Sequence, residues 1–291
     1  MLPSSMPPRE GVDGDDVAVD LAVEPLGSRG VSSGPRFLEQ TLAVARRAMV
    51  RTSRQRALLV FPMVFPLILF AINGSALSPA TRIPRFPTHN YRDFLIAMPF
   101  IQGAMFVSIT AGVDLARDIE SGFLNRLALT PLRGEALLIG QLGGALVLGA
   151  LQAVVYLLVG LATGVTFASG VAGALVLLVL SVLIAFAFAT LGGLLALRFG
   201  TGEAVQGVFP LLFVTLFLSS SSLPRDLIKA SWFRDVATYN PISYLLEALR
   251  SLVITGWDAQ ALALGFGFTI ALLVVALALS QAAMKTRLAR K

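Results

Sequence analysis

Residues 136–197 read ALLIGQLGGALVLGALQAVVYLLVGLATGVTFASGVAGALVLLVLSVLIAFAFATLGGLLAL and contain no Asp, Glu, Lys or Arg. As one helix this run would be about 93 Å long, roughly three times the ~30 Å hydrocarbon core of a bilayer. The run must therefore fold back on itself, and GVTFASG (164–170) supplies the turn residues. We predict two membrane helices here, at about 136–163 and 171–197.

The composition of the whole chain agrees with a bilayer environment. Of its 291 residues, 56% are hydrophobic and 14% are charged, with a mean hydropathy of +0.78; soluble domains carry about 25% charged residues. The net charge of +6 would suit nucleic acid, but the basic residues flank apolar blocks, which is typical of membrane proteins. We therefore expect no nucleic-acid partner. With no cysteine and one histidine, His89, we expect no disulfide and no metal site.

Charge-poor runs predict four further spans, at about 57–76, 94–113, 204–222 and 259–284. The fold class is therefore an all-α membrane protein with six transmembrane helices, which form one transmembrane domain over residues 35–291. Residues 1–34 are rich in Pro, Gly and Ser, acidic, and without an apolar segment. They predict a disordered cytosolic tail and not a signal peptide.

The distribution of basic residues predicts the orientation. With both termini in the cytoplasm, the inner segments from residue 36 onward hold 14 Lys and Arg and the outer segments hold 7, as the positive-inside rule requires. Arginine outnumbers lysine 20 to 3, which favours a GC-rich bacterial genome. We expect a multi-pass protein of the bacterial cell (inner) membrane.

The segment before the first span, residues 36–56, is amphipathic. Phe37, Leu38, Leu42 and Met49 recur at helical spacing among arginines. This pattern predicts an interfacial helix lying on the membrane; contact with a cytosolic partner is the alternative.

The predicted spans lack the groups that ion coupling or catalysis requires. No ionisable residue lies near a span centre, whereas ion-coupled transporters and intramembrane enzymes need such groups. Polar side chains within the spans, such as Gln102, Gln152 and Tyr156, are expected to form interhelical hydrogen bonds. The chain also lacks a G-x-x-x-x-G-K-[ST] loop. If it moves a substrate uphill, a separate subunit that binds ATP and Mg²⁺ must supply the energy, and this chain itself holds no cofactor and is not an enzyme. A secondary multidrug transporter and a non-transport membrane scaffold remain the alternatives.

A short charged segment, residues 118–135, interrupts the apolar blocks on the predicted cytoplasmic side. Gly122 and Pro131 bracket FLNRLALT, in which Phe123, Leu124 and Leu127 share one helical face. Two interpretations remain open: a short amphipathic helix that contacts an ATPase subunit, and an ordinary polar loop.

The run DIESGFLNRLALTPLRGEALLIGQ (118–141) resembles the cytosolic loop between spans 2 and 3 of ABC-2 type transporter permeases, in particular the drug-resistance and antibiotic-export type. In that family the loop is the coupling helix, which docks into a groove of the ATP-binding subunit. The resemblance implies that this subunit contacts Arg117, Asp118, Glu120, Gly122, Leu124, Arg126, Leu127, Thr130 and Pro131.

A second motif lies between spans 5 and 6. NPISYLLEALRSLVITG (240–256) resembles the family pattern Asn-Pro-x-x-Tyr-x-x-Glu-x-x-Arg followed by Gly. Asn240 and Pro241 suit a helix start, and the apolar content favours a re-entrant helical hairpin over a soluble external loop. Glu247 and Arg250 are expected to pair, in a structural or a substrate-contacting role. The hairpin residues are Pro224, Asn240, Pro241, Tyr244, Glu247 and Arg250.

The resemblance further implies a homodimer of permease chains, with two ATPase subunits and a substrate route at the permease interface, surrounded by membrane lipid. An amphipathic or lipid-like substrate would leave the cytoplasm. The lining of the substrate route is expected to include Phe100, Phe106, Phe209, Phe213 and Phe217. A lipid-facing or core position for these rings is equally compatible with their spacing.

Overall fold

The computed structural model describes residues 56–122 and 134–289. Within these ranges every regular element is helical. The predicted tail (1–34), residues 36–55 of the predicted interfacial helix, and residues 123–133 of the predicted coupling helix lie outside the described residues.

Ten α-helices follow one another in the described ranges, with 3₁₀ turns at Ser78–Arg82 and Arg225–Leu227. They are α1 (Arg56–Ala76), α2 (Tyr91–Leu95), α3 (Ala97–Glu120), α4 (Gly134–Ala162), α5 (Gly170–Phe199), α6 (Gly202–Gly207), α7 (Phe209–Phe217), α8 (Ser231–Tyr239), α9 (Pro241–Ile254) and α10 (Ala259–Ala289).

Four stretches in the described ranges are long and apolar enough to cross a membrane: Tyr91–Glu120, Leu142–Ala162, Gly170–Phe199 and Ala259–Arg287. The division of the long charge-free run into two helices is confirmed by α4 and α5. Gly164 and Gly170 at the ends of the connecting turn both have positive φ, at 86° and 65°, which glycine adopts at little cost. The remaining predicted spans, 57–76 and 204–222, coincide with shorter apolar helices, Val60–Ala76 and Gly202–Phe217.

Two predicted spans differ from the helices that the structure has. The predicted second span, 94–113, belongs to a helix that continues to Glu120, because no Gly or Pro interrupts residues 113–120. Asp118 and Glu120 therefore belong to the last turn of α3 and not to the start of a separate helix. The predicted fifth span is divided into α6 and α7, because Pro210 lacks an N–H and cannot continue the hydrogen bonding of α6. The chain also leaves the helix at Phe217, before the serine run 219–222.

The centre of the fold is the crossing of α3 and α5. A Cβ added to Gly192 would lie 1.8 Å from the carbonyl oxygen of Ser108, and one added to Gly112 would lie 2.7 Å from that of Gly192. The two backbones meet where no side chain fits, so Gly192 and Gly112 permit the close packing of α3 and α5. Helix α10 lies against α5 and α9 and is mostly exposed, as expected for a helix that faces lipid.

The expected interhelical hydrogen bonds form only in part. Tyr156 donates its hydroxyl to the carbonyl of Pro62 on α1 at 3.0 Å, as predicted. The side-chain amides of Gln102 and Gln152 are buried and have no hydrogen-bond partner among the described residues. The Gln152 oxygen faces Gly103, which offers no side-chain donor there.

Candidate functional site: an aromatic cleft between α1, α3 and α7

The cleft begins with three phenylalanines on α7. Phe209, Phe213 and Phe217 recur every fourth residue and therefore lie on one helix face. The ring centroids of Phe209 and Phe213 are 4.6 Å apart, and those of Phe213 and Phe217 are 6.3 Å apart. Phe217 is 53% exposed, whereas Phe213 is partly buried and packs against the hydrophobic core.

Phe106 on α3 joins the α7 face to α1. Its ring centroid lies 5.0 Å from that of Phe209 and 5.8 Å from that of Phe213. On α1, Phe61 and Phe65 each lie 5.8 Å from Phe106 in edge-to-face geometry, an arrangement that aromatic pairs favour. The sequence analysis did not assign Phe61 and Phe65 to the path, although their four-residue spacing on the first span was the available signal.

A cavity of about 470 Å³ opens beside these rings. Phe61, Pro62, Phe106 and Phe209 form its apolar part. Along α3 the lining becomes polar, through Thr110 and Asp114 to Arg117, and Gln206 faces it from α6. The volume lies in the range of sites for drug-sized molecules.

The polar end of the cavity carries both signs of charge. Arg117 and Asp114 approach to 3.9 Å one turn apart on α3, and both side chains remain partly accessible. Phe106 and Arg117 are 11 residues apart, or about 16 Å along the helix. The cleft can therefore accommodate an amphipathic molecule, with its apolar part among the rings and its polar part near Asp114 and Arg117.

Phe100 does not reach the cleft. It is buried and packs edge-to-face against Tyr156, with ring centroids 5.7 Å apart. It lies about one and a half turns before Phe106 on α3, which turns its side chain toward α4. Of the five predicted path residues, the structure therefore brings together Phe106, Phe209, Phe213 and Phe217.

The last turn of α3 connects the predicted coupling segment to the cleft. The Glu120 carboxylate accepts a hydrogen bond from the backbone N–H of Gly202 at 3.1 Å, at the first turn of α6. A carboxylate is favourable at a helix N-terminus, where backbone N–H groups lack partners. Thr201 caps the same helix by accepting from Ala204. Glu120 thus fixes the end of α3 to the element that leads into the phenylalanines of α7.

The other predicted coupling residues occupy different environments. Asp118 is buried, at 5% exposure, whereas Arg117 is exposed and lines the cleft. Gly122 follows α3 with a positive φ of 67°, which suits an abrupt change of chain direction. The remaining members of the set lie outside the described residues: Leu124, Arg126, Leu127, Thr130 and Pro131.

At the opposite end of the fold, α8 and α9 follow one another directly within the segment that was predicted to form a re-entrant hairpin. Asn240 caps α9 by accepting from the backbone N–H of Ile242 at 2.9 Å, and Pro241 occupies the first helical position, both as predicted. Pro224, expected to open a helix, precedes only the 3₁₀ turn Arg225–Leu227, and α8 begins at Ser231. The Tyr244 hydroxyl donates to the carbonyl of Thr238 at 2.9 Å and thereby ties α9 to α8.

Arg250 attaches this hairpin to the rest of the fold. It is buried and donates to three backbone carbonyls: Nε to Phe94 at 2.8 Å, Nη1 to Ser220 at 2.6 Å, and Nη2 to Ser221 at 2.6 Å. Its guanidinium also lies 3.6 Å from the centre of the Phe94 ring. Burial lowers the pKa of Arg250 from its ordinary value, while Glu247 and Tyr91 raise it again.

The expected pairing of Glu247 with Arg250 is wrong. The Glu247 carboxylate forms its ion pair with Arg225 and accepts a further hydrogen bond from the Ser220 hydroxyl. The reason is geometric, since Arg250 extends toward the serine carbonyls while Arg225 reaches Glu247 from the opposing loop. Both arginines therefore connect segments of the chain that are separate in sequence.

The described residues hold no group of three or more His, Cys, Asp or Glu side chains that could bind a metal ion. The polar end of the cleft, with one carboxylate beside one guanidinium, is suited to contact with a polar or charged organic group.

The helices and the cleft define a multi-pass, all-helical membrane protein with an amphipathic cavity between its helices. A profile of the ABC-2 type transporter family matches residues 39–254. The chain belongs to this family and is a membrane protein of the permease type.

Individual relatives agree with this assignment. The chain is 23% identical to a probable doxorubicin resistance ABC transporter permease protein, DrrC, of Mycobacterium tuberculosis, over 76% of this chain and 79% of the relative. It is 26% identical to the daunorubicin resistance ABC transporter permease protein DrrB1 of Streptomyces coeruleorubidus, over 67% of each. It is 27% identical to the putative transport permease ycf38 of Cyanophora paradoxa, over 74% of each.

Proposed function

We propose that this chain is the membrane subunit of an ATP-driven exporter that takes an amphipathic, partly aromatic substrate into the cleft between α1, α3 and α7. The observation that carries the proposal is the cavity of about 470 Å³ with phenylalanines on one side and Asp114 and Arg117 at one end. An aromatic or lipid-like body gains from contact with the rings, and a polar substituent stays near the charged pair.

We infer six membrane crossings with both termini in the cytoplasm, from the apolar runs and the positive-inside distribution of the sequence, and this topology would favour export. The polar end of the cleft lies at the end of α3 that carries Glu120, which the positive-inside rule assigns to the cytoplasm. A substrate would therefore enter from the cytoplasm or the inner leaflet of a bacterial cell membrane. The apolar block of α6 and α7 is broken before Pro210, and a second copy of the chain beside α1 and α7 would complete the route in a homodimer.

Energy would come from ATP and Mg²⁺ bound by a separate ABC subunit that contacts residues 117–131. The Glu120–Gly202 contact supports a mechanical connection, because a displacement of the end of α3 also displaces the start of α6. Helix α7 follows α6 directly and carries Phe209, which lines the cavity. Closure of the ATPase subunits would in this way change the width of the cleft.

The test is transport in proteoliposomes that contain the chain together with its ABC ATP-binding subunit. Doxorubicin, taken from the name of a relative, serves as the fluorescent probe. We expect ATP-dependent accumulation that is insensitive to a proton uncoupler. Phe209→Leu, which removes a ring from the cleft, should reduce the rate about tenfold, equivalent to about 1.4 kcal/mol of lost contact.

The matched control is Phe199→Leu, which changes an exposed ring on α5 that lies away from the cleft. This variant should transport at the wild-type rate. Equal rates for Phe209→Leu and wild type would exclude the cleft as the route for this probe. Accumulation that collapses with the uncoupler while ATP is present would instead support secondary transport.

A further inference from the structure

A second cavity, of about 450 Å³, lies between the ends of α5 and α10, away from the aromatic cleft. Its apolar wall consists of Leu197, Leu279 and Ala283, and two arginines, Arg198 and Arg287, line it at the helix ends. No Asp or Glu is among the described residues that line it. The cavity therefore combines an apolar groove with a purely cationic end.

Arg287 is held in place by the fold. Its Nε donates to the carbonyl of Leu197 at 2.6 Å, at the C-terminus of α5. A Cβ on Gly200 would lie 2.5 Å from Nη2, so the guanidinium passes directly over this glycine, whose φ is +83°. Both terminal nitrogens, Nη1 and Nη2, have no acceptor among the described residues. A guanidinium fixed through Nε thus presents its remaining donors to the cavity.

Arg198 supplies a second cation on the other helix. Its side chain is exposed and has neither an ion-pair partner nor a hydrogen-bond partner among the described residues. The nearby Thr286 hydroxyl already donates to the carbonyl of Ala282 at 2.9 Å. The arginines are therefore the free donors of the cavity, and their geometry suits the oxygens of a phosphate group.

The apolar part has the length that an acyl chain requires. On α10, Val275 and Leu279 are exposed and lie one turn apart on the face that continues to Ala283 and Arg287. From Val275 to Arg287 the helix rises about 18 Å, slightly more than the ~15 Å of one leaflet of the hydrocarbon core. An acyl chain along this strip brings its headgroup to the arginines.

We propose that the groove between α5 and α10 is a binding site for an anionic phospholipid, whose phosphate is held by Arg198 and Arg287. Basic pockets between membrane helices bind anionic headgroups in this manner, and the inner leaflet supplies such lipids. The site does not depend on the transported substrate, because it shares no lining residue with the aromatic cleft. Lipid bound there would fasten the ends of α5 and α10 to each other.

The experiment measures lipid binding to the full-length chain, purified in detergent, delipidated, and titrated with phosphatidylglycerol or phosphatidylcholine under native mass spectrometry. We expect phosphatidylglycerol to bind more tightly than phosphatidylcholine. Arg198→Gln and Arg287→Gln should each weaken phosphatidylglycerol binding roughly fivefold. Lys285→Gln is the matched control, since it removes an exposed positive charge of α10 that does not line the groove, and it should bind as wild type does.

Arg198 has no hydrogen-bond or ion-pair partner among the described residues, so Arg198→Gln decides the outcome even if Arg287→Gln lowers stability. Equal binding of both lipids, or an equal loss in Arg198→Gln and Lys285→Gln, would overturn the proposal. Displacement of phosphatidylglycerol by inorganic phosphate would identify a site for a soluble anion and would also overturn the assignment to a lipid.

Discussion

At the scale of single residues, the buried polar groups decide how the helices are joined. Arg250 donates to carbonyls of three residues, Phe94, Ser220 and Ser221, which come from two separate segments. The serine run has left the helix before its carbonyls have intrahelical partners, so these oxygens need an external donor. One planar guanidinium satisfies all three acceptors, which a smaller side chain cannot do.

We predict that Arg250→Ala lowers the free energy of unfolding by at least about 3 kcal/mol, because each buried carbonyl that loses its donor costs roughly 1–3 kcal/mol. Arg250→Lys should recover only part of this loss, since one ammonium cannot reproduce the forked geometry. Thermal unfolding in detergent measures the change. Arg234→Ala, at an exposed arginine of α8, should leave the melting temperature unaltered. Equal effects at the two positions would contradict the role given to Arg250.

Gly192 gives a second prediction at this scale. The added methyl group of Gly192→Ala would lie 1.8 Å from the Ser108 carbonyl oxygen, so α3 and α5 must separate. We expect a loss of about 2–3 kcal/mol, as found for overpacked interiors. The adjacent Gly193→Ala places its methyl group 3.7 Å from Leu115, an ordinary contact, and should fold normally. The ratio of monodisperse to aggregated protein in size-exclusion chromatography compares the two variants, and similar profiles would refute the close crossing.

At the scale of helices, the division of the fifth apolar block is the feature with most consequence. Pro210 ends the hydrogen-bonded continuity between α6 and α7. Helix α6 is therefore a separate short piece, capped by Thr201 and Glu120. The contact with Glu120 attaches α6 to the end of α3, so the two can move together.

We predict that Glu120→Ala reduces ATP-dependent transport about fivefold, because the α6 N-terminus loses a carboxylate worth up to about 1 kcal/mol. Glu120→Gln keeps an acceptor oxygen and should retain more activity. Glu203→Ala serves as the control, since Glu203 is exposed in the first turn of α6 and is not its cap. The measurement is probe uptake per ATP hydrolysed in the reconstituted complex. A Glu120→Ala complex with an unchanged ratio would show that the contact does not transmit motion.

At the scale of the whole molecule, membrane topology determines which side each site faces. The chain contains no cysteine, so single cysteines can be introduced and labelled without background. Lys229 and Lys285 are both exposed and lie near opposite ends of the fold. The positive-inside distribution assigns Lys229 to the outside and Lys285 to the cytoplasm.

We predict that Lys229→Cys reacts with a membrane-impermeant maleimide in intact cells, whereas Lys285→Cys reacts only after permeabilisation. Five predicted spans precede Lys229 and all six precede Lys285, so the predicted topology places the two residues on opposite sides of the membrane. Labelling of Lys285→Cys in intact cells, with Lys229→Cys protected, would reverse the orientation and with it the proposed direction of transport.

Much of the fold could be predicted from local sequence. Charge-free length predicted α4 and α5, and the Asn240–Pro241 pair predicted the start of α9, because both signals act within a few residues. Local sequence did not reveal that α3 continues through Asp118 and Glu120, since charged residues are compatible with either a helix or a loop at a membrane surface. Pro210 is a sequence signal for the break between α6 and α7. Because the residues around it are apolar, the segment was nevertheless predicted as one continuous span.

The sequence by itself determined which segments are apolar enough to leave water, where helices begin at caps, and to which transporter family the chain belongs. Only the tertiary structure decided which side chains meet: Phe61 and Phe65 with Phe106 and α7, Glu247 with Arg225, and Glu120 with Gly202. Burial in a membrane depends on the composition of each segment alone. A contact between residues far apart in the chain depends on the crossing of α3 with α5 and on the broken helix at Pro210, which no single segment specifies.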